Sequence, residues 1–141
     1  MAESICLHYT VPGDDFTRAG EASADLKQRL KKLGLPPDAV RKVSIALYEG
    51  EINLAIHAHG GNIDVEVGDD AVRMTLSDSG PGIADIALAM SEGYSTAPDE
   101  VRSLGFGAGM GLPNMKKYSD EFDIQSAVGV GTTVRMAVRI D

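Results

Sequence analysis

The chain has 141 residues, enough for one hydrophobic core and one domain. Apolar residues make up 43% and charged residues 24%, a globular balance that excludes global disorder. With 13 Lys and Arg against 21 Asp and Glu, the net charge of −8 excludes a general nucleic-acid or membrane-surface binder, but not a nucleotide held by backbone N–H groups and a metal.

Met1-Ala2-Glu3-Ser4 has no signal-peptide character, and no stretch approaches the ~20 apolar residues that span a bilayer, so the expected compartment is the cytoplasm. Ser4 to Val11 reads as a strand closed by Pro12-Gly13, with Cys6, the sole cysteine, expected as a buried, inert thiol. Asp14 or Asp15 offers an N-cap to a helix whose apolar period runs through Phe16, Ala19, Leu26, Leu30 and Leu33 to Gly34. Lys27, Arg29, Lys31 and Lys32 fall in its last turns, where cations suit the helix dipole. Pro36-Pro37-Asp38 opens a second helix to about His59, and Gly60-Gly61 ends it with residues free to take positive φ. It is apolar on more than one face, which predicts burial between neighbours.

Asn62–Val67 and Ala71–Asp78 alternate as a hairpin around Gly68-Asp69-Asp70. A short helical stretch follows near Asp85 to Met90. Ser91 to Met110, rich in Gly, Ser, Pro and acid, is expected to be a mobile lid. A helix from Leu112 to about Tyr118 and strands at Phe122–Ala127 and Thr132–Ile140 complete the chain. The order predicts an α+β two-layer sandwich: a mixed, mostly antiparallel sheet with helices packed on one face, residues 1–141 forming a single domain.

Four clusters could carry chemistry. Glu49 and Asn53, four apart on the second helix, share a face, where a carboxylate can accept or orient a hydroxyl proton and an amide oxygen can ligate Mg²⁺. A solvated polar pair is the bland alternative. Glu51 turns to nearly the opposite side and cannot share that site. Asp78-Ser79-Gly80-Pro81-Gly82 follows a strand; its carboxylate could accept from the exocyclic amine of adenine, although such a run is also an ordinary turn. The run from Gly105 through Gly107, Gly109, Met110 and Gly111 to Leu112 precedes a helix and could aim N–H groups at phosphates, or be only a hinge. No Gly-Lys-Ser/Thr follows, so it is not a P-loop. Gly129-Val130-Gly131-Thr132 is a tight turn in which Thr132 could touch a base edge directly or through water. His57, four after Asn53, is a further candidate ligand or phosphate contact. His57 and His59 do not converge on a zinc site.

In this order the clusters resemble the successive boxes of the GHKL ATPases, the superfamily of gyrase, histidine kinases and MutL, over nearly the whole chain. Asp78-Ser79-Gly80-Pro81-Gly82-Ile83, Glu92-Gly93-Tyr94-Ser95-Thr96 and Gly109-Met110-Gly111-Leu112-Pro113 resemble the anti-sigma-factor serine/threonine kinases, especially the stressosome switch-protein kinases. Ser95 to Leu104 departs from that branch in being longer and more acidic. The resemblance implies a Bergerat ATP-binding fold, ATP and Mg²⁺ as cofactors, and phosphorylation of a serine or threonine on a STAS-domain antagonist, with a downstream regulator as a second partner. It leaves open a homodimer, and a partner-switching binder without turnover. It assigns Glu49 as the base or orienter, Asn53 as the Mg²⁺ ligand, Asp78 as the adenine reader and Gly80, Gly82 and Ile83 to the first glycine box. Gly107, Gly109 and Gly111 become the phosphate strap, and Thr132 the hydroxyl of the last box.

Overall fold

The computed structural model describes residues 5–13, 20–56, 60–80, 82, 90 and 111–140. They form β1 (Ile5–Pro12), α1 (Glu21–Lys32), α2 (Pro37–Ile56), β2 (Gly60–Val67), β3 (Ala71–Ser77), α3 (Gly111–Lys117), β4 (Glu121–Ala127) and β5 (Gly131–Arg139). The short helix expected near 85–90 lies outside the described residues apart from Met90, which packs on the core.

The sheet runs β1-β2-β3-β5-β4, and all four pairings are antiparallel. The expected α+β sandwich is therefore present, with antiparallel pairing throughout the described strands. Period-two alternation decides which face is covered. Ile63, Val65 and Val67, then Val72, Met74 and Leu76, then Val134, Met136 and Val138 point inward and are buried. Their neighbours Asp64, Glu66, Arg73, Arg135 and Arg139 are exposed on the other face, where cross-strand pairs such as His8–Asp64 at 2.7 Å and Arg135–Asp123 at 3.9 Å line up by register.

Cys6 lies on that outer face and is exposed, contrary to the expected buried thiol. The parity of β1 explains it: Leu7, Tyr9 and Val11 take the inward positions, which turns Cys6, His8 and Thr10 outward.

On the covered face α2 is central, packed between α1 and α3 and over β1, β2, β3 and β5. Val43, Ala46, Leu47, Leu54 and Ala55 are buried, while Ile45 and Tyr48 remain partly open to solvent, so the helix is less enclosed than its composition predicts. Mid-helix Gly50 permits the close packing. A Cβ there would collide with Leu76 Cδ2 of β3 and lie 3.3 Å from Met115 Sδ of α3.

The start of α1 differs from expectation. Its N-cap is Gly20 in the left-handed region (φ 102°), without a side-chain cap of its own, and Asp14 and Asp15 lie outside the described residues. The cap comes from α2 instead. Glu51 Oε2 accepts from Ala22 N and Oε1 from Ser23 N, both at 3.0 Å. Glu51 is 2% exposed, and these two charge-assisted bonds offset the cost of burying it. Gly34 ends α1 as expected, with φ 80°. Leu33, expected on the apolar stripe, is the C-cap and is exposed. At the next helix end Gly60 takes positive φ and opens β2, whereas Gly61 serves a close approach described below.

Candidate active site

Asp78 extends β3 by one rung, its N–H donating to Thr132 O of β5 at 3.0 Å. Its Oδ1 accepts from Gly80 N at 2.8 Å and Thr132 N at 3.3 Å, which fixes the carboxyl plane and leaves Oδ2 without a bond among the described residues. Two glycines let this segment lie against the β4–β5 turn. Gly131 (φ 142°) sits where a Cβ would strike Asp78 O, and Gly82 (φ 79°) where one would strike Ala127 O. Thr132 Oγ1 is 2.8 Å from Ser126 Oγ, and Ser126 Oγ donates to Gly131 O at 3.2 Å. Ser126 was not singled out in the sequence. It is the cross-strand partner of Thr132, and counting the register across Ala127–Gly131 would have found it.

α2 reaches the same corner of the molecule. A Cβ on Gly61 would lie 2.8 Å from Leu54 Cδ2 and 3.3 Å from Asp78 Cβ, so the residue after Asn53 meets the start of the Asp78 segment. Glu49 and Asn53 sit beside Gly50 on the flank of α2 that turns toward α3. Glu51, about 200° around from Glu49, faces α1. The two carboxylates therefore serve different sides of one helix, as the spacing predicts.

Neither Glu49 nor Asn53 has a hydrogen-bond or ion-pair partner among the described residues, although both are half-buried. Desolvation holds the Glu49 carboxyl above the usual carboxylate range. On α3, Leu112 and Met115 are buried, and Met115 packs α3 against Gly50 of α2. Asp78, Gly80, Gly82 and Thr132 thus lie together at the β3 end and the β4–β5 turn, while Glu49 and Asn53 are on α2 and Gly111 and Leu112 on α3. His57, Ile83, Gly105, Gly107, Gly109 and Met110, and the expected lid at 91–110, lie outside the described residues.

Residues 14–138 match the family described as the histidine kinase-like ATPase domain. The chain belongs to that family. As a histidine kinase-like ATPase domain it binds ATP. It is 32% identical over 109 residues to the serine/threonine-protein kinase RsbT of Bacillus subtilis, covering 74% of this chain and 76% of that one. It is 33% identical over 103 residues to the anti-sigma F factor of a Geobacillus species, covering 69% and 67%. Among solved structures, the RsbU and RsbW domains of a Mycobacterium tuberculosis protein superpose with a TM-score of 0.65 at 18% identity. The match covers 96% of this chain and 32% of that one. The mycobacterial sensor histidine kinase MprB superposes with a TM-score of 0.54 at 17% identity, over 94% and 97% of the two chains. At these identities the last two show a shared fold. Among the described residues no helix is long and apolar enough to cross a membrane.

The donor set of this histidine kinase-like ATPase domain suits a magnesium nucleotide. Asn53, the expected metal ligand, presents a hard amide oxygen without a partner among the described residues. A cation that keeps waters and phosphate oxygens in its shell needs only one or two such ligands.

Proposed function

We propose that this domain binds Mg²⁺·ATP and transfers its γ-phosphoryl group to a serine or threonine of a partner protein, a STAS-domain antagonist. One observation carries the reading: Glu49 is a half-buried, desolvated carboxylate one turn from Asn53, and neither has a partner among the described residues. Binding a nucleotide does not need that carboxylate; activating a hydroxyl does. The names of the relatives, a serine/threonine-protein kinase and anti-sigma factors, support the same class.

In this reading Asp78 Oδ2 accepts from the adenine 6-amino group, with Oδ1 already anchored to the backbone. Thr132, held by Ser126, presents its hydroxyl to the base edge. Asn53 would supply a side-chain oxygen to Mg²⁺, which when bound would neutralise charge on the transferred group. Glu49 orients the incoming hydroxyl and takes its proton. Gly80, Gly82, Ile83 and His57 line the nucleotide, and the strap Gly105, Gly107, Gly109, Met110, Gly111 and Leu112 provides backbone donors to the phosphates. The partner brings the nucleophile, in the cytoplasm.

The test is transfer of label from [γ-³²P]ATP to purified STAS-domain proteins. Glu49→Gln is expected to lower the rate at least ~100-fold while nucleotide affinity stays within about threefold. Equal rates for the variant and the wild type remove Glu49 from the chemistry. A second reading, an ATP-binding partner switch without turnover, draws on the anti-sigma factors among the relatives. It predicts tight partner binding with no acid-stable phosphoprotein.

A further inference from the structure

A second concavity lies away from the nucleotide corner. α1 and α2 run antiparallel: Glu51, near the end of α2, meets the start of α1, and the opposite ends are joined through residues 33–36. Toward that joined end the two helices enclose a groove of about 340 Å³ on the solvent side. Its floor is apolar, formed by Leu35, Pro37, Val40 and Ile45. One wall carries Lys27 and Lys31, one turn apart on α1, and neither is in an ion pair among the described residues. Arg41 lines the other wall, paired to Asp38 at 3.2 Å and lying 5.7 Å from the centroid of the Tyr118 ring. Asp38, exposed beside the rim, also holds Lys42 at 3.2 Å. Every ionic group lining the groove is therefore a cation, on a chain of net charge −8.

We propose that this groove is a docking site for an acidic amphipathic helix of a partner protein, separate from the nucleotide site. A trough between two antiparallel helices takes a third helix by ridge-into-groove packing. The apolar floor accepts one stripe of that helix, and carboxylates at its i and i+4 positions match the one-turn spacing of Lys27 and Lys31. Nucleic acid is disfavoured by the overall negative charge. A second copy of this chain is disfavoured as well, because a two-fold contact would set the same lysines against themselves. The position of the groove, at the far end of α2 from Asn53 and Asp78, leaves it accessible while nucleotide is bound.

The test uses a fluorescein-labelled peptide of about 18 residues, five helical turns, with Leu at i, i+3, i+4 and i+7 and Glu along its flanks, read by anisotropy on the full chain. Binding is expected in the range of tens of micromolar, weakening as salt rises from about 50 to 300 mM. Lys27→Glu/Lys31→Glu is expected to weaken it at least ~tenfold and to bind the matching Lys-flanked peptide in its place. Ile45→Asp is expected to lose both peptides. ATP affinity, unchanged in these variants, and a cooperative thermal transition well above the assay temperature show that the fold is intact. The proposal is overturned if the wild type does not bind the Glu-flanked peptide, if the charge-reversed variant binds it equally well, or if sedimentation shows the groove filled by a second copy.

Discussion

Glu49 and Glu51 stand two residues apart on α2 under opposite conditions. Glu51 is sealed in and accepts from two backbone N–H groups, whereas Glu49 is half-buried and has no partner among the described residues. Burial raises the Glu49 pKa, so the folded chain binds that proton more tightly than the unfolded chain does. The stability it contributes is greatest at low pH and is lost as pH rises through the raised value, above which the charge opposes folding. Glu49→Gln is therefore expected to raise the thermal midpoint at pH 7 while transfer collapses. Because only the ionised form can take a proton, the acid limb of kcat/KM should lie above the ordinary glutamate value. A limb at that value would remove the assignment. Glu51→Ala leaves Ala22 and Ser23 N–H unsatisfied and is expected to cost about 2–3 kcal/mol in urea unfolding, with Glu51→Gln restoring part. The opposed directions of these two carboxylates were legible from helical spacing alone. The partner of Glu51 was not, because 29 residues separate it from Ala22 and no local pattern encodes a cap supplied by another helix.

The helices show the same division between local and distant causes. The end of α1 at Gly34, the turn at Gly68 and the inward parity of β2, β3 and β5 follow from residues next to one another. The open flank of α2 depends on what packs alongside; the exposure of Cys6 does not, since the alternation of Leu7, Tyr9 and Val11 with His8 and Thr10 already turns it outward, against the buried thiol expected from the sequence. Gly50 is the clearest test of that packing. In an isolated helix Gly→Ala gains about 1 kcal/mol. Here the added methyl meets Leu76, itself 2% exposed, and Met115, which is fully buried. Gly50→Ala is expected to destabilise by about 1–2 kcal/mol net by thermal unfolding and to lower transfer, since α2 carries Glu49 and Asn53 past that contact. A gain in stability would show that the layers are looser than the structure describes. β1 is held to α1 by Tyr9, whose hydroxyl donates to Asp25 at 2.6 Å while Arg29 donates to the same oxygen at 2.8 Å. Tyr9→Phe is expected to cost about 1 kcal/mol, and less at acid pH. Those two donors hold Asp25 below the usual range, and their benefit fades as pH falls through its lowered pKa.

At the scale of the molecule, the nucleotide corner is assembled from segments distant in sequence. Asp78 and Thr132 are 54 residues apart and meet only because β5 inserts between β3 and β4. The cluster order that resembles a GHKL ATPase was readable from the chain, and so was the sandwich. The insertion of β5 was not, since hairpin signals report neighbours and β3–β5 pairing is long-range. A ligand gripped by both strands stabilises the whole sheet: Mg²⁺·ATP at about 100 times its dissociation constant is expected to add ~2.7 kcal/mol, and Asp78→Asn to abolish the added stability. The same strand order sets a timetable during synthesis. α2 and Asp78 leave the ribosome while β5 is still to be made, so the Asp78 corner has no second wall until that strand has emerged. Nucleotide capture then waits on β5, and a nascent protein stalled before Thr132 is expected not to hold ATP.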